Sequence, residues 1–181
     1  RGIMERETEK GLTKKGIAFL EEMERLGMII DVSHLGDAGF FVVAEHTKRP
    51  FIASHSNARG AAGNVRNLTD EMIRLLADRG GVMGINFCPA FLSASQSMQK
   101  GGGQSFVRDM VSQMKYIRNV GGIECIGLGS DFDGITGELE VDSPAAFWKI
   151  ADEMHRQGFA ASEIESVFYR NARRVFTEIL H

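Results

Sequence analysis

The stretch RPFIASHSNARG, residues 49–60, decides how this chain is read. Phe51, Ile52 and Ala53 are apolar, and the polar residues Ser54, His55, Ser56 and Asn57 follow at once. Upstream, GMIIDVSHLGD at 27–37 repeats the design, its apolar run closing on Asp31, Val32, Ser33 and His34. Short runs that are apolar on both faces suit strands of a parallel sheet covered by helices. Here two successive strands would each end in a histidine.

Working outward, the intervening segments have helical spacing. Residues 13–26 place Ile17, Leu20 and Met23 on one face, with Glu21, Glu22 and Glu24 elsewhere, and Gly27 ends the helix. Residues 37–47 predict a second helix despite a β-branched pair, and Pro50 opens the strand FIASH. Thr69 is placed to cap a third helix over 70–80, whose acidic first turn suits the helix dipole. GGVMGINF at 80–87 reads as another strand, residues 92–104 as a mobile surface loop, and 105–120 as a helix. ECIGLGSDFDG then forms a fourth strand ending in two acids. Two helices close the chain, at 143–157 and 162–180, the second opened by a capping box at 162–165.

Strands alternating with helices, without a hairpin signal, predict an α/β chain with a parallel sheet. The strands end in His34, His55, Asn86-Phe87 and Asp131, so the polar residues gather at one edge. Both a (β/α)8 barrel and a doubly wound sheet bind ligands there. No Gly-x-Gly-x-x-Gly run opens a helix after the first strand, which removes the usual dinucleotide reading. Four strands do not close a barrel of eight, so a barrel would lack half its strands.

The composition sets outer bounds. The 181 residues amount to one domain, 43% hydrophobic and 25% charged, as globular chains are. A net charge of −3 without a basic stripe argues against a nucleic-acid partner. Apolar runs fall short of a transmembrane span. Cys88 and Cys125 lie inside apolar runs and read as buried thiols, which suits a reducing, cytoplasmic compartment. No signal peptide is read, but the chain begins at Arg1 and looks like a piece of something longer.

Chemistry concentrates in three places. A single histidine after a strand is commonly a hydrogen-bonded loop residue, but His34 and His55 recur on strands expected about 5 Å apart, close enough to share one zinc ion. His46 and His155 fall on helices and read as surface residues. In GLGSDFDG, Asp133 before Gly134 reads as a turn, whereas Asp131 directly follows the strand and is placed to shuttle a proton. The loop after His55 holds Arg59 and Arg66; loop arginines are usually solvated, but a guanidinium beside a metal is suited to grip a carboxylate.

Taken in order, ASHSNAR, RNLTDEMI, GGVMGINF, GSDFDG and the closing RNARRVFTEIL resemble the membrane dipeptidase (renal dipeptidase) family, peptidase family M19, from about residue 11 to 180. The resemblance implies an amidohydrolase-type (β/α)8 (TIM) barrel with a two-zinc site, of which residues 1–181 would be a single partial domain, the C-terminal half. It implies hydrolysis of dipeptides, including those with a C-terminal D-residue, by a metal-bound hydroxide. His34 and His55 match zinc ligands, Arg66 the arginine that holds the substrate carboxylate, and Asp131 the catalytic acid/base. Asn86 and Phe91 match the segment lining the substrate pocket. The family's other ligands, a His-x-Asp pair and a bridging glutamate, have no counterpart at a strand end here, since Glu124 begins its strand. A complementing N-terminal half, or a homo-oligomer, is therefore expected as partner. Two alternatives stand beside this reading: an inactive half-barrel used as a binding module, and a deacetylase or lactonase with a bridging lysine, for which no strand end supplies the lysine.

Overall fold

A computed structural model describes residues 10–93, 95 and 103–180. The chain start at Arg1, His181 and most of the loop read at 92–104 lie outside the described residues. Thr13 caps the first helix, α1 (Lys14–Arg25), its hydroxyl accepting from Gly16 N at 3.2 Å. Gly27 stops it at φ 67°, a left-handed conformation that glycine adopts without a Cβ penalty. Helix α2 (Asp37–His46) follows, and its β-branched pair is tolerated because Val43 is packed in the core beside Phe40 and Ala44.

The main sheet contains β1 (Ile52–Ala53), β2 (Val82–Ile85) and β4 (Ile126–Leu128), all parallel, in the order β1-β2-β4. Between them run α3 (Asp70–Asp78), capped by Thr69 through Met72 N, then the four-residue α4 (Pro89–Leu92) and α5 (Val107–Gly121). Segment 28–34 is less of a strand than its composition predicts. Ile52 N donates to Ile30 O at 2.9 Å and Val32 N to Ile52 O at 2.8 Å, but only Asp31 forms a bridge, with Ile52. The Asp31 side chain accounts for the shortening. It takes the N–H of Ser33 and of Ser54, turning both chains out of the ladder just before their histidines.

Three further departures have local causes. The start of α5 is preceded by strand β3 (Gln104–Ser105), which pairs in parallel with β5 (Glu138–Leu139), so Gln104 belongs to a strand instead of the loop. The closing helix begins earlier than the box at 162–165: Ala160 N donates to Glu163 Oε2 at 2.8 Å, making Glu163 the capping carboxylate of α7 (Ala161–Glu165). A π turn at Ser166–Arg170 then joins α7 to α8 (Asn171–Ile179). At its end Asn171 donates 2.8 Å bonds to the carbonyls of Ile123 and Ile126. Helix α6 (Trp148–Arg156) is shorter than read at 143–157, because Pro144–Ala146 form a 3-10 turn.

The sheet is apolar on both sides. Phe51, Met83, Ile85 and Ile126 are buried with Ile73, Leu76, Met110, Met114 and Ile117 of α3 and α5. Val175 and Ile179 of α8 pack on Ile29 and on Ile52 and Val82, the first residues of β1 and β2. Helix α8 thus covers the N-terminal end of the sheet, and the C-terminal end is left to the polar residues.

Both thiols are free and buried, as read from the sequence. Burial pushes Cys125 up to about 12 and raises Cys88 as well. We expect iodoacetamide at about pH 8, where an ordinary thiol of pKa about 8.5 reacts readily, to modify neither cysteine in the folded chain and both after denaturation, read by mass spectrometry.

Candidate active site

His34, His55, Asn86 and Asp131 all lie just beyond the C-terminal ends of neighbouring strand segments. The two imidazole centroids are 4.9 Å apart and the rings are inclined at 54°. A tetrahedral zinc bonded at about 2.0–2.1 Å to one nitrogen of each ring sets the centroids roughly 5 Å apart, so the pair fits two ligand positions of such a site. Among the described residues, no group of three or more His, Cys, Asp or Glu is placed to hold an ion.

Two of these residues sit in unusual backbone. His34 (φ 70°) and Asp131 (φ 65°) are the non-glycine residues with positive φ among the described residues. Aspartate and histidine tolerate this region better than most, and local strain of this kind concentrates at functional sites. At Asp131 the turn closes with Gly134 N donating to Asp131 O at 3.0 Å. A Cβ on Gly134 would collide with Asp131 Oδ1, so the glycine keeps that oxygen's place open.

The other oxygen, Asp131 Oδ2, accepts from Asn86 Nδ2 at 2.9 Å. The same amide nitrogen lies 3.4 Å from His55 O, linking the acid to the histidine strand. Asn86, expected to line the pocket, is fully buried and fixed by Asn57. Asn57 Oδ1 accepts from Asn86 N at 2.9 Å, and Asn57 Nδ2 donates to Asn86 O at 2.9 Å.

The structure separates the two loop arginines. Arg59 makes a two-point ion pair with Asp37 at 2.8 and 2.9 Å and donates to the carbonyls of Asn67 and Val65, which shapes its own loop. Arg66 is 4% exposed. Its guanidinium donates to Ser56 Oγ at 2.8 Å and to His55 O at 2.9 Å, and lies 5.8 Å from the centre of the Phe91 ring. Arg66 and Phe91 are therefore brought together, beside the strand that carries His55. The loop is tied to α4 and α5 through Asn67 Nδ2 to Phe91 O and Gln113 Oε1 from Ala58 N, both at 2.9 Å.

The surroundings of His55 displace its titration. Burial and the Arg66 guanidinium hold it below the usual imidazole value, against the opposing pull of Asp131 and Asp31. A ring kept neutral is the form that binds a metal ion. Its Nδ1 lies 2.7 Å from Ser54 Oγ, and Ser54 Oγ donates to Asp31 Oδ2 at 2.5 Å. Asp31, Ser54, Ser56 and Asn57 support the site although the sequence alone assigns them no role. Their common signal was position: each is a polar residue within three places of a candidate histidine.

A sequence profile described as "Membrane dipeptidase (Peptidase family M19)" matches residues 2–181. The chain is 34% identical over 173 residues to an uncharacterized protein in the pqqA 5' region of Klebsiella pneumoniae, covering 96% of this chain and 63% of that protein. It is 31% identical over 171 residues to dipeptidase 3 of Rattus norvegicus, covering 93% and 33%. Its structure is similar to that of dipeptidase AC, a metallo peptidase of family M19, with TM-score 0.88 and 26% identity over 96% of this chain and 50% of the other. A metallo peptidase from Rhodobacter sphaeroides, liganded with a phosphinate mimic of the dipeptide L-Ala-D-Ala, matches at TM-score 0.87 and 26% identity over 96% and 48%. The chain thus spans about half the length of these solved structures.

Proposed function

From the premise that this chain belongs to the membrane dipeptidase family, peptidase family M19, we propose that it is the C-terminal half of a zinc-dependent dipeptidase barrel. The observation that carries this reading is the histidine pair, 4.9 Å apart on adjoining strand ends, with Asp131 and Arg66 tied by hydrogen bonds to the strand of His55. Zinc held by His34 and His55 would polarise the scissile carbonyl and acidify water. The chain's own residues do the rest. Asp131, oriented by Asn86, accepts a proton from the attacking water and returns it to the leaving amine. Arg66, backed by Phe91, pairs with the substrate's terminal carboxylate and so limits the substrate to two residues.

The remaining ligands belong, in this reading, to an N-terminal half that pairs with the sheet beside residues 30–32. Among the described residues no helix is long and apolar enough to cross a membrane. The two free thiols suit the cytoplasm.

The role of Arg66 is tested by comparing a dipeptide with its C-terminal amide in the zinc-supplied enzyme. The amide is expected to lose about 10²–10³-fold in kcat/KM, on the order of the 2–5 kcal/mol for unpairing a buried charge. Equal turnover of acid and amide would remove the carboxylate clamp. Absence of any zinc-dependent hydrolysis would favour the reading of an inactive half-barrel.

A further inference from the structure

We propose that Asp31 and Ser54 are positioning residues that fix His55 in one tautomer, with the proton on Nδ1 and the lone pair on Nε2. This deepens the metallopeptidase reading and rests on it only for the purpose the tautomer serves. Asp31 receives three donors: Ser33 N at 3.0 Å and Ser54 N at 2.9 Å on Oδ1, and Ser54 Oγ at 2.5 Å on Oδ2. Backbone N–H groups only donate, so this carboxylate is an acceptor. The serine hydroxyl has one hydrogen, and a contact of 2.5 Å to a carboxylate oxygen places it there. The second contact of that oxygen, 2.7 Å to His55 Nδ1, then needs its hydrogen from the imidazole. Nδ1 is therefore the protonated nitrogen and Nε2 carries the lone pair.

The direction of the chain excludes another use of these residues. In a nucleophilic triad the serine gives its proton to the histidine. Here the serine gives it to the aspartate and accepts one from the histidine, so Ser54 is not an activated nucleophile. The arrangement instead matches the outer support of a metal-binding histidine, in which the nitrogen away from the ion donates toward a carboxylate, here through one intervening hydroxyl. The backbone is held with the ring, since His55 N donates to Ser33 Oγ at 3.0 Å. Asp31 thus ends two strands, orders the turn before His34, and reaches His55 through Ser54.

The test is a long-range ¹H–¹⁵N correlation spectrum of the imidazole side chains, recorded on the metal-free chain at about pH 8, above the usual histidine pKa of about 6.5. The His55 signals are assigned by their loss in His55→Gln. We expect a protonated Nδ1 and an unprotonated Nε2 in the wild type, and a shift toward protonated Nε2 in Ser54→Ala. Zinc affinity, measured by competition with a chelating dye, is expected to fall about 10–100-fold in Ser54→Ala and to return in Ser54→Thr, which keeps the hydroxyl. A wild-type spectrum showing protonated Nε2 or an even mixture overturns the proposal, as does unchanged zinc affinity in Ser54→Ala. The wild-type spectrum needs neither metal nor turnover. A chain in the expected tautomer that takes up no zinc would uphold the relay and count against the metallopeptidase reading alone.

Discussion

Asp131→Asn, in the proposed dipeptidase barrel completed by its N-terminal half, is expected to lower kcat for dipeptide hydrolysis by about 10²–10⁴-fold, the usual share of a general acid/base, with KM little changed. The substitution isolates the proton because the rest of the residue's work is preserved. Asparagine tolerates the left-handed backbone that Asp131 adopts at φ 65°. Its carbonyl oxygen can still accept from Asn86 Nδ2, now 2.9 Å from Asp131 Oδ2. The thermal midpoint should therefore stay near that of the wild type, and loss of turnover without loss of fold identifies the acid/base. A variant retaining more than about a tenth of wild-type kcat falls short of that 10²-fold lower bound and would assign the proton transfers elsewhere.

Gly129→Ala is expected to cost about 1–3 kcal/mol of stability, as overpacking of a close-packed interior does, and to displace the strand carrying His55. The cause is backbone against backbone. A Cβ on Gly129 would collide with Ser54 O and stand 3.0 Å from Gly84 Cα and carbonyl carbon. A Cβ on Gly84 would meet Ser54 O and Gly129 in turn. These two glycines let β2 and β4 close on the segment that presents His55, and no rotamer change relieves a clash with a carbonyl. Chemical denaturation measures the stability loss. If Gly129→Ala matches the wild type in both midpoint and slope, the close approach is not a constraint on the site.

Much of this architecture was legible because its signals were local. Thr69 before an acidic turn, Gly27 after an amphipathic run, and apolar stretches ending in Ser-His or Ser-Asp each carry their structural meaning within a few residues. His34, His55, Asn86 and Asp131 could be placed on one edge because strand ends in a parallel sheet share a side. What escaped depended on pairings that composition does not signal. Gln104 and Glu138 pair as short strands although neither segment has a strand-like composition. Ala160 became a helix cap through the carboxylate of Glu163, with no capping side chain of its own. Arg59 and Arg66 look alike in the loop, and it is Asp37, 22 positions from Arg59, that draws one into a loop-shaping ion pair while the other lies against His55 and Ser56. Asp31 appeared as the end of a strand, and its three donors emerged only when Ser33 and Ser54 were brought beside it.

The most direct test is a calorimetric zinc titration of the barrel completed by its N-terminal half, set beside the double variant His34→Ala, His55→Ala. Saturable zinc uptake is expected in the wild type, with the zinc held by the histidine pair lost in the double variant while the fold is retained by circular dichroism. Uptake unchanged in the double variant, or no uptake by the wild type, would contradict the assignment of these histidines as half of a dipeptidase metal site.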